Sequence, residues 1–200
     1  MSKKTGRPLS FDRNEVLNKA MLAFWEHGYE TTSLSELSEV MGLNTPSIYA
    51  TFGDKKQLFI ESVELYVGDL DSLKMSIMAA ASAREAAYNM LRNSAISFTG
   101  KYTPRGCLLA SSTASGSEAS LEVKQVVLNY RKKIEGFLKI KIEDDVKNKI
   151  LKKEALELNL AAFVISVIQG MSVLARDGAT QKKLLEIGET SMRAWPISEV

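Results

Sequence analysis

Residues 28–55 read GYETTSLSELSEVMGLNTPSIYATFGDK, and the punctuation of this stretch decides the fold. Ser33 with Glu36 three residues on is a capping-box signature, so a helix starts at Leu34. Leu34, Leu37, Val40 and Met41 give that helix an inward face. Gly42 ends it, supplying a residue free to take positive φ. Leu43 leads into Asn44, a good N-cap, and Pro46 falls in the first turn of the next helix, where a missing N–H is harmless. That helix is short, from Thr45 to Thr51 or Phe52. Gly53 breaks it, and Asp54 caps a fourth helix beginning at Lys55.

Upstream, Val16, Leu17, Ala20, Met21, Phe24 and Trp25 recur at steps of three and four until Gly28. Three short helices joined by a tight turn match the helix-turn-helix pattern, in which the second helix braces the third and the third enters a DNA major groove. Ile48 and Phe52 are four apart and should point inward against Leu37 and Val40. That turns Thr45, Pro46, Ser47, Tyr49 and Ala50 outward, on a face without acids that can approach base edges. Thr45 and Ser47 can donate or accept, and Ala50 and the Thr45 methyl can touch a thymine methyl.

Downstream the helical reading continues. The fourth helix is predicted to run to about Leu73, and the Ala-, Ser- and Met-rich Met75–Ala83 reads as a linker or frayed turn. Further helices are expected over Arg84–Tyr102, from Cys107 to Ala110, over Leu121–Val146, over Glu154–Ala175 and over Gln181–Trp195. Thr103-Pro104-Arg105-Gly106 is a clear break, and Ser111–Ser120 is ambiguous. No run of any length alternates with period two. The expectation is an all-α chain of about nine helices: an N-terminal three-helix helix-turn-helix domain (1–55) and a C-terminal helical ligand-binding and dimerisation domain (56–200).

Composition agrees with this class. The 200 residues are 45% hydrophobic and 25% charged, ordinary for a soluble globular chain, and 12 Gly with 4 Pro leave few helix breakers. The net charge of +2 argues neither for nor against an acidic partner. Over residues 1–60, Lys3, Lys4, Arg7, Arg13, Lys19, Lys55 and Lys56 balance Asp12, Glu15, Glu26, Glu30, Glu36, Glu39 and Asp54. The basic groups nevertheless gather in the Met1–Leu9 arm and after Gly53. The single cysteine, Cys107, permits no internal disulfide, and the polar start of the chain is no signal peptide, so a cytoplasmic home is expected. Leu158–Ala175 carries no charge, but its Asn159, Ser166, Gln169, Gly170 and Ser172 favour a buried or dimer-forming helix over a membrane span.

The segments 28–33, 37–42 and 47–55, taken together, resemble the N-terminal signature of TetR/AcrR-type transcriptional regulators, over roughly Phe11 to Phe59. Pro104-Arg105-Gly106-Cys107-Leu108-Leu109 also looks like a stretch found in a subset of that family. The resemblance implies a homodimeric repressor of double-stranded operator DNA, with a small-molecule effector held in the C-terminal domain and the last two helices pairing into a four-helix dimer bundle within 154–195. Carried over by position, Thr45, Ser47 and Ala50 would face bases, with Pro46 and Thr51 on the same helix. Tyr49 would reach a phosphate or base, and Thr32 and Lys55 would bind phosphates. Unlike the usual basic or amide-bearing readers, this recognition helix has no Arg, Lys, Gln or His, which shifts weight toward shape readout.

The effector pocket can be placed only by region, on Met90, Phe98, Tyr102, Cys107, Tyr130, Phe163 and Met171, and it suggests a neutral or hydrophobic ligand. Cys107 supports two readings: a redox or electrophile sensor activated by Arg105 and a helix N-terminus, or a small apolar side chain beneath the pocket. His27 has no second ligand at metal spacing, and no nucleophile–base set or phosphate loop is present, so no cofactor, metal or enzymatic activity is expected. Glu143-Asp144-Asp145 reads as a solvated helix end, and Lys147, Lys149, Lys152 and Lys153 as an exposed basic turn. The competing class is a helical ligand-binding protein with a vestigial DNA-binding head.

Overall fold

The computed structural model describes residues 11–112 and 120–196, which fold into α-helices and short 3-10 turns with no strand among them. The helices are α1 (Arg13–His27), α2 (Leu34–Met41), α3 (Thr45–Phe52), α4 (Lys55–Val67), α5 (Leu70–Ala79), α6 (Ala83–Ser97), the single turn α7 (Leu108–Ser111), α8 (Leu121–Lys147), α9 (Leu160–Arg176) and α10 (Gln181–Ser191). The basic arm and most of the ambiguous Ser111–Ser120 stretch lie outside the described residues.

The head forms as the punctuation predicts. Side-chain oxygens of Asp12, Ser33, Asn44 and Asp54 accept the orphan N–H groups that start α1 to α4. Gly42 sits at φ 67°, ψ 28°, and its N–H closes onto Glu39 O. Ile48, Phe52 and Leu37 are buried as expected. Val40 is not: it is 40% exposed. At 100° per residue Val40 lies on the opposite flank of Leu37 from Leu34 and Met41, so a helix this short turns it to solvent.

Two apolar clusters organise the chain. The first joins α1–α4 with Leu108 and Leu109 of α7 and Val123 and Val127 of α8. Its centre is aromatic: Phe59 meets Phe24 edge-on at 5.1 Å and Tyr29 at 5.0 Å. The second joins α5, α6, the C-terminal half of α8, α9 and α10. The head cluster thus continues through Leu58, Phe59 and Val63 of α4. A boundary after residue 55 cuts through it, and α8 serves both clusters.

Several helix limits differ from expectation. The fourth helix stops at Val67, because Gly68 takes φ 67° and Asp69 caps a new helix by accepting from Asp71 N and the Ser72 hydroxyl. The supposed linker Met75–Ala83 is the end of α5, a break, and the start of α6. Its period was faint because Ile77 is the one buried residue of α5. The sixth helix ends at Ser97 rather than Tyr102. A 3-10 turn occupies Lys153–Glu157 before α9, and another follows α10 at Met192–Ala194.

Asp145 is also not solvated. It is fully buried, its Oδ2 accepts from Ala83 N at 2.6 Å at the start of α6, and its Oδ1 lies 3.2 Å from the buried Lys141 ammonium. A carboxylate there complements the positive end of α6. Lys147, Lys149, Lys152 and Lys153 are exposed as expected.

Candidate DNA-reading face and effector cavity

On α3, Pro46, Tyr49 and Ala50 are exposed and Thr45, Ser47 and Thr51 half-buried, so the outward set shares one face. Tyr49 is 44% exposed. Thr45 Oγ1 shares a hydrogen bond with Ser38 Oγ at 3.2 Å, and the Thr51 hydroxyl donates to Ser47 O at 2.8 Å. These bonds tie α3 to α2 and close its last turn, and Pro46, Tyr49 and Ala50 are the exposed residues of the face, with Ser47 half-buried beside them.

Arg13 fixes the far end of α3, with its guanidinium stacked 4.6 Å over the Phe52 ring and paired to Glu61 at 2.6 Å. Lys55 lies 4.6 Å from the Tyr29 ring centre, at the N-terminus of α4. Burial lowers its pKa, against the opposing pull of Glu30 and Glu36.

Thr32 departs from the expected phosphate role. It is fully buried, and its hydroxyl donates to Gly28 O at 2.7 Å. The side chain is committed to the turn that ends α1.

Below the head lies a cavity of about 390 Å³, within the size range of small-molecule sites. Of the seven expected pocket residues, Met90, Phe98 and Cys107 line it. Tyr102 does not, being 92% exposed beyond the end of α6. Tyr130 packs against the head cluster, Met171 is buried in the second cluster, and Phe163 faces outward on α9.

The walls that sequence reasoning missed are Leu73 and Ile77 of α5, Arg131 and Ile134 of α8, Ile165, Ile168 and Gln169 of α9, and Tyr66 of α4. Asn89, Asn93 and Ser97 of α6 also border it. They recur every four residues, a stripe that looks in sequence like an ordinary solvated face. The lining is thus more polar than a purely hydrophobic ligand requires.

One wall of the cavity touches the head. Trp25 at the end of α1 donates from Nε1 to Gly106 O at 3.1 Å, and packs edge-on against Tyr66 at 4.8 Å. Cys107 N donates to Ser172 Oγ on α9 at 2.8 Å, and the Tyr66 hydroxyl donates to Cys107 Sγ at 3.3 Å. Burial, reinforced by the neighbouring thiol, holds the Tyr66 hydroxyl well above its usual pKa, so it stays a donor.

Gly106 sits at φ +79°, and a Cβ there would lie 2.8 Å from Ser172 O, so only glycine fits. Arg176 of α9 donates to Trp25 O and to Glu26 O, completing the bridge. Arg105 is engaged elsewhere: its guanidinium donates to Ala175 O in the last turn of α9 and to Ala179 O just beyond it. The sensor reading of Cys107 loses that premise, and the residue serves as wall and hub.

The sequence profile of the bacterial regulatory proteins of the tetR family matches residues 16–61. The HTH-type transcriptional repressor ComR of Escherichia coli K12 is 32% identical over 198 residues, covering 98% of this chain and 94% of ComR. The chain belongs to the TetR family. Among solved structures, a cysteine mutant of the TetR-family regulator CifR bound to 26-base-pair operator DNA superimposes with a TM-score of 0.88 at 34% identity, covering 95% of this chain and all (100%) of that one. A second CifR cysteine mutant on operator DNA gives 0.89 at 34% identity, over 96% and 100%. As a TetR-family member the chain is a DNA-binding transcriptional regulator. Among the described residues, no helix is long and apolar enough to cross a membrane.

Proposed function

We propose that this regulator is a homodimeric repressor that leaves a palindromic operator when a small molecule fills the cavity. The observation that carries the reading is the Gly106–Cys107 segment, which borders the cavity and holds the end of α1 through Trp25. A ligand that displaces this wall shifts α1 and α4, and with them α3. The name of ComR and the operator complexes of CifR support repression and duplex DNA as the partner.

In a dimer the two α3 helices need to sit about 34–36 Å apart to enter successive major grooves. A coupling of about 1–3 kcal/mol between cavity and head suffices for a five- to 150-fold change in affinity. For the dimer face, α9 offers an exposed stripe of Phe163, Ser166, Gly170 and Val173, spaced three or four residues apart. Its small central residues let a partner helix approach closely. Ser47, Tyr49 and Ala50 would contact bases and Lys55 a phosphate; the cytoplasm, where such DNA is reached, would be the site of action.

The test is fluorescence anisotropy on the intergenic DNA beside the protein's own gene, at two salt concentrations, with unrelated DNA as control. Selective, salt-sensitive binding is expected. Equal weak binding to both DNAs would favour a ligand-binding protein with a vestigial head.

A further inference from the structure

The cavity contains one charge without a counter-charge. Arg131 is the single charged residue among the lining side chains. Its Nε is buried with no hydrogen-bond partner, and its Nη1 reaches only Gln169 Oε1, at 3.4 Å. No carboxylate among the described residues lies within ion-pair distance of it. The other lining residues are uncharged: Leu73, Ile77, Ile134, Ile165 and Ile168 supply apolar wall, and Asn89, Asn93, Ser97 and Gln169 polar wall. A guanidinium held against such walls loses hydration, and an unmade bond there is costly.

We propose that the cavity takes a small amphipathic monocarboxylic acid, its carboxylate on Arg131 and its hydrocarbon part against the isoleucines. This rests on the effector reading above and names the chemistry of the ligand. The Arg131 side chain borders the cavity, and its two Nη groups can form a fork on one planar carboxylate, an arrangement in which both bonds are charge-assisted. The Gln169 amide, already beside Nη1, can donate to the same carboxylate, and Asn93 borders the same space. A single cation matches a single negative charge. A dianionic phosphate would bring a second negative charge into a lining that has no second cation to meet it. The earlier expectation of a neutral or hydrophobic ligand is therefore replaced by one that is apolar along its length and acidic at one end.

The test is calorimetric titration of the full-length protein with decanoic acid, 1-decanol and decyl phosphate, beside the Arg131→Gln and Arg131→Lys variants. Decanoic acid is expected to bind about tenfold or more tightly than the alcohol, since hydrogen bonds to a charged group are stronger than neutral ones. Arg131→Gln should erase that preference, and Arg131→Lys, which keeps the charge but not the fork, should retain part of it. Circular dichroism confirms that each variant is folded, and Arg131→Lys carries the test if the Gln variant is not.

Equal affinity for acid and alcohol overturns the inference. So does an acid preference that survives Arg131→Gln, tighter binding of the phosphate, or binding of none of the three. Selective DNA binding in the same preparation separates the two claims. If it holds while the acid fails, only the ligand class falls. If it is absent, the regulator reading falls whatever the acid does.

Discussion

Around Phe59 in the head, three aromatic rings close on one another within 5.0–6.2 Å and leave no space. Around Ile168 in the C-terminal lobe, half-buried aliphatic side chains face an open volume of about 390 Å³. The head holds a fixed reading surface and is packed accordingly. The lobe, on the proposed reading, admits a molecule, and its core is open on that side. The two share α4, α8 and the Gly106 segment, and the proposed coupling would run through these elements.

The sharpest way to break this contrast is to truncate one residue in each half. Phe59→Ala should destabilise the protein by about 3–5 kcal/mol in chemical denaturation, because its site cannot collapse. Ile168→Ala, already half-facing a void, should lose less than about 2 kcal/mol. Equal losses would mean that the two halves are packed alike.

Gly106→Ala tests the bridge between them. A residue with a Cβ at positive φ, 2.8 Å from Ser172 O, should reduce stability by about 1–3 kcal/mol. It should also weaken any effect of cavity ligands on DNA affinity. A variant as stable and as ligand-responsive as the parent would remove Gly106 from the coupling path.

The proposed dimer face comes next. Val173→Arg sets a charge in the exposed α9 stripe and should raise the dimer dissociation constant about tenfold or more in sedimentation analysis. An unchanged dimer would place the interface elsewhere.

How much of this was legible in the sequence differs between the same two halves. In the head, caps and glycines fix each helix limit locally: Ser33, Gly42, Asn44 and Asp54 act within a few residues of themselves. The inward set Leu37, Ile48 and Phe52 follows from spacing alone. Thr32 was misread because burial comes from a turn that folds back on α1, which spacing does not reveal. In the lobe, the pocket is assembled from α4, α5, α6, α8 and α9, far apart in sequence. Arg131 and the Asn89–Asn93–Ser97 stripe carry the same local pattern as a solvated face. Only the tertiary arrangement separates them from one, just as it separates the buried Asp145 from its exposed neighbour Glu143.

One comparison tests directly whether α3 is the DNA-reading element. The affinity of the Tyr49→Ala/Lys55→Ala double variant for the intergenic DNA beside the gene is measured by anisotropy against the parent, with circular dichroism and melting on both. Loss of about tenfold or more in affinity, with helicity and melting unchanged, is the predicted result. Parent-like affinity in a folded double variant would contradict the assignment of α3 and the start of α4 to DNA.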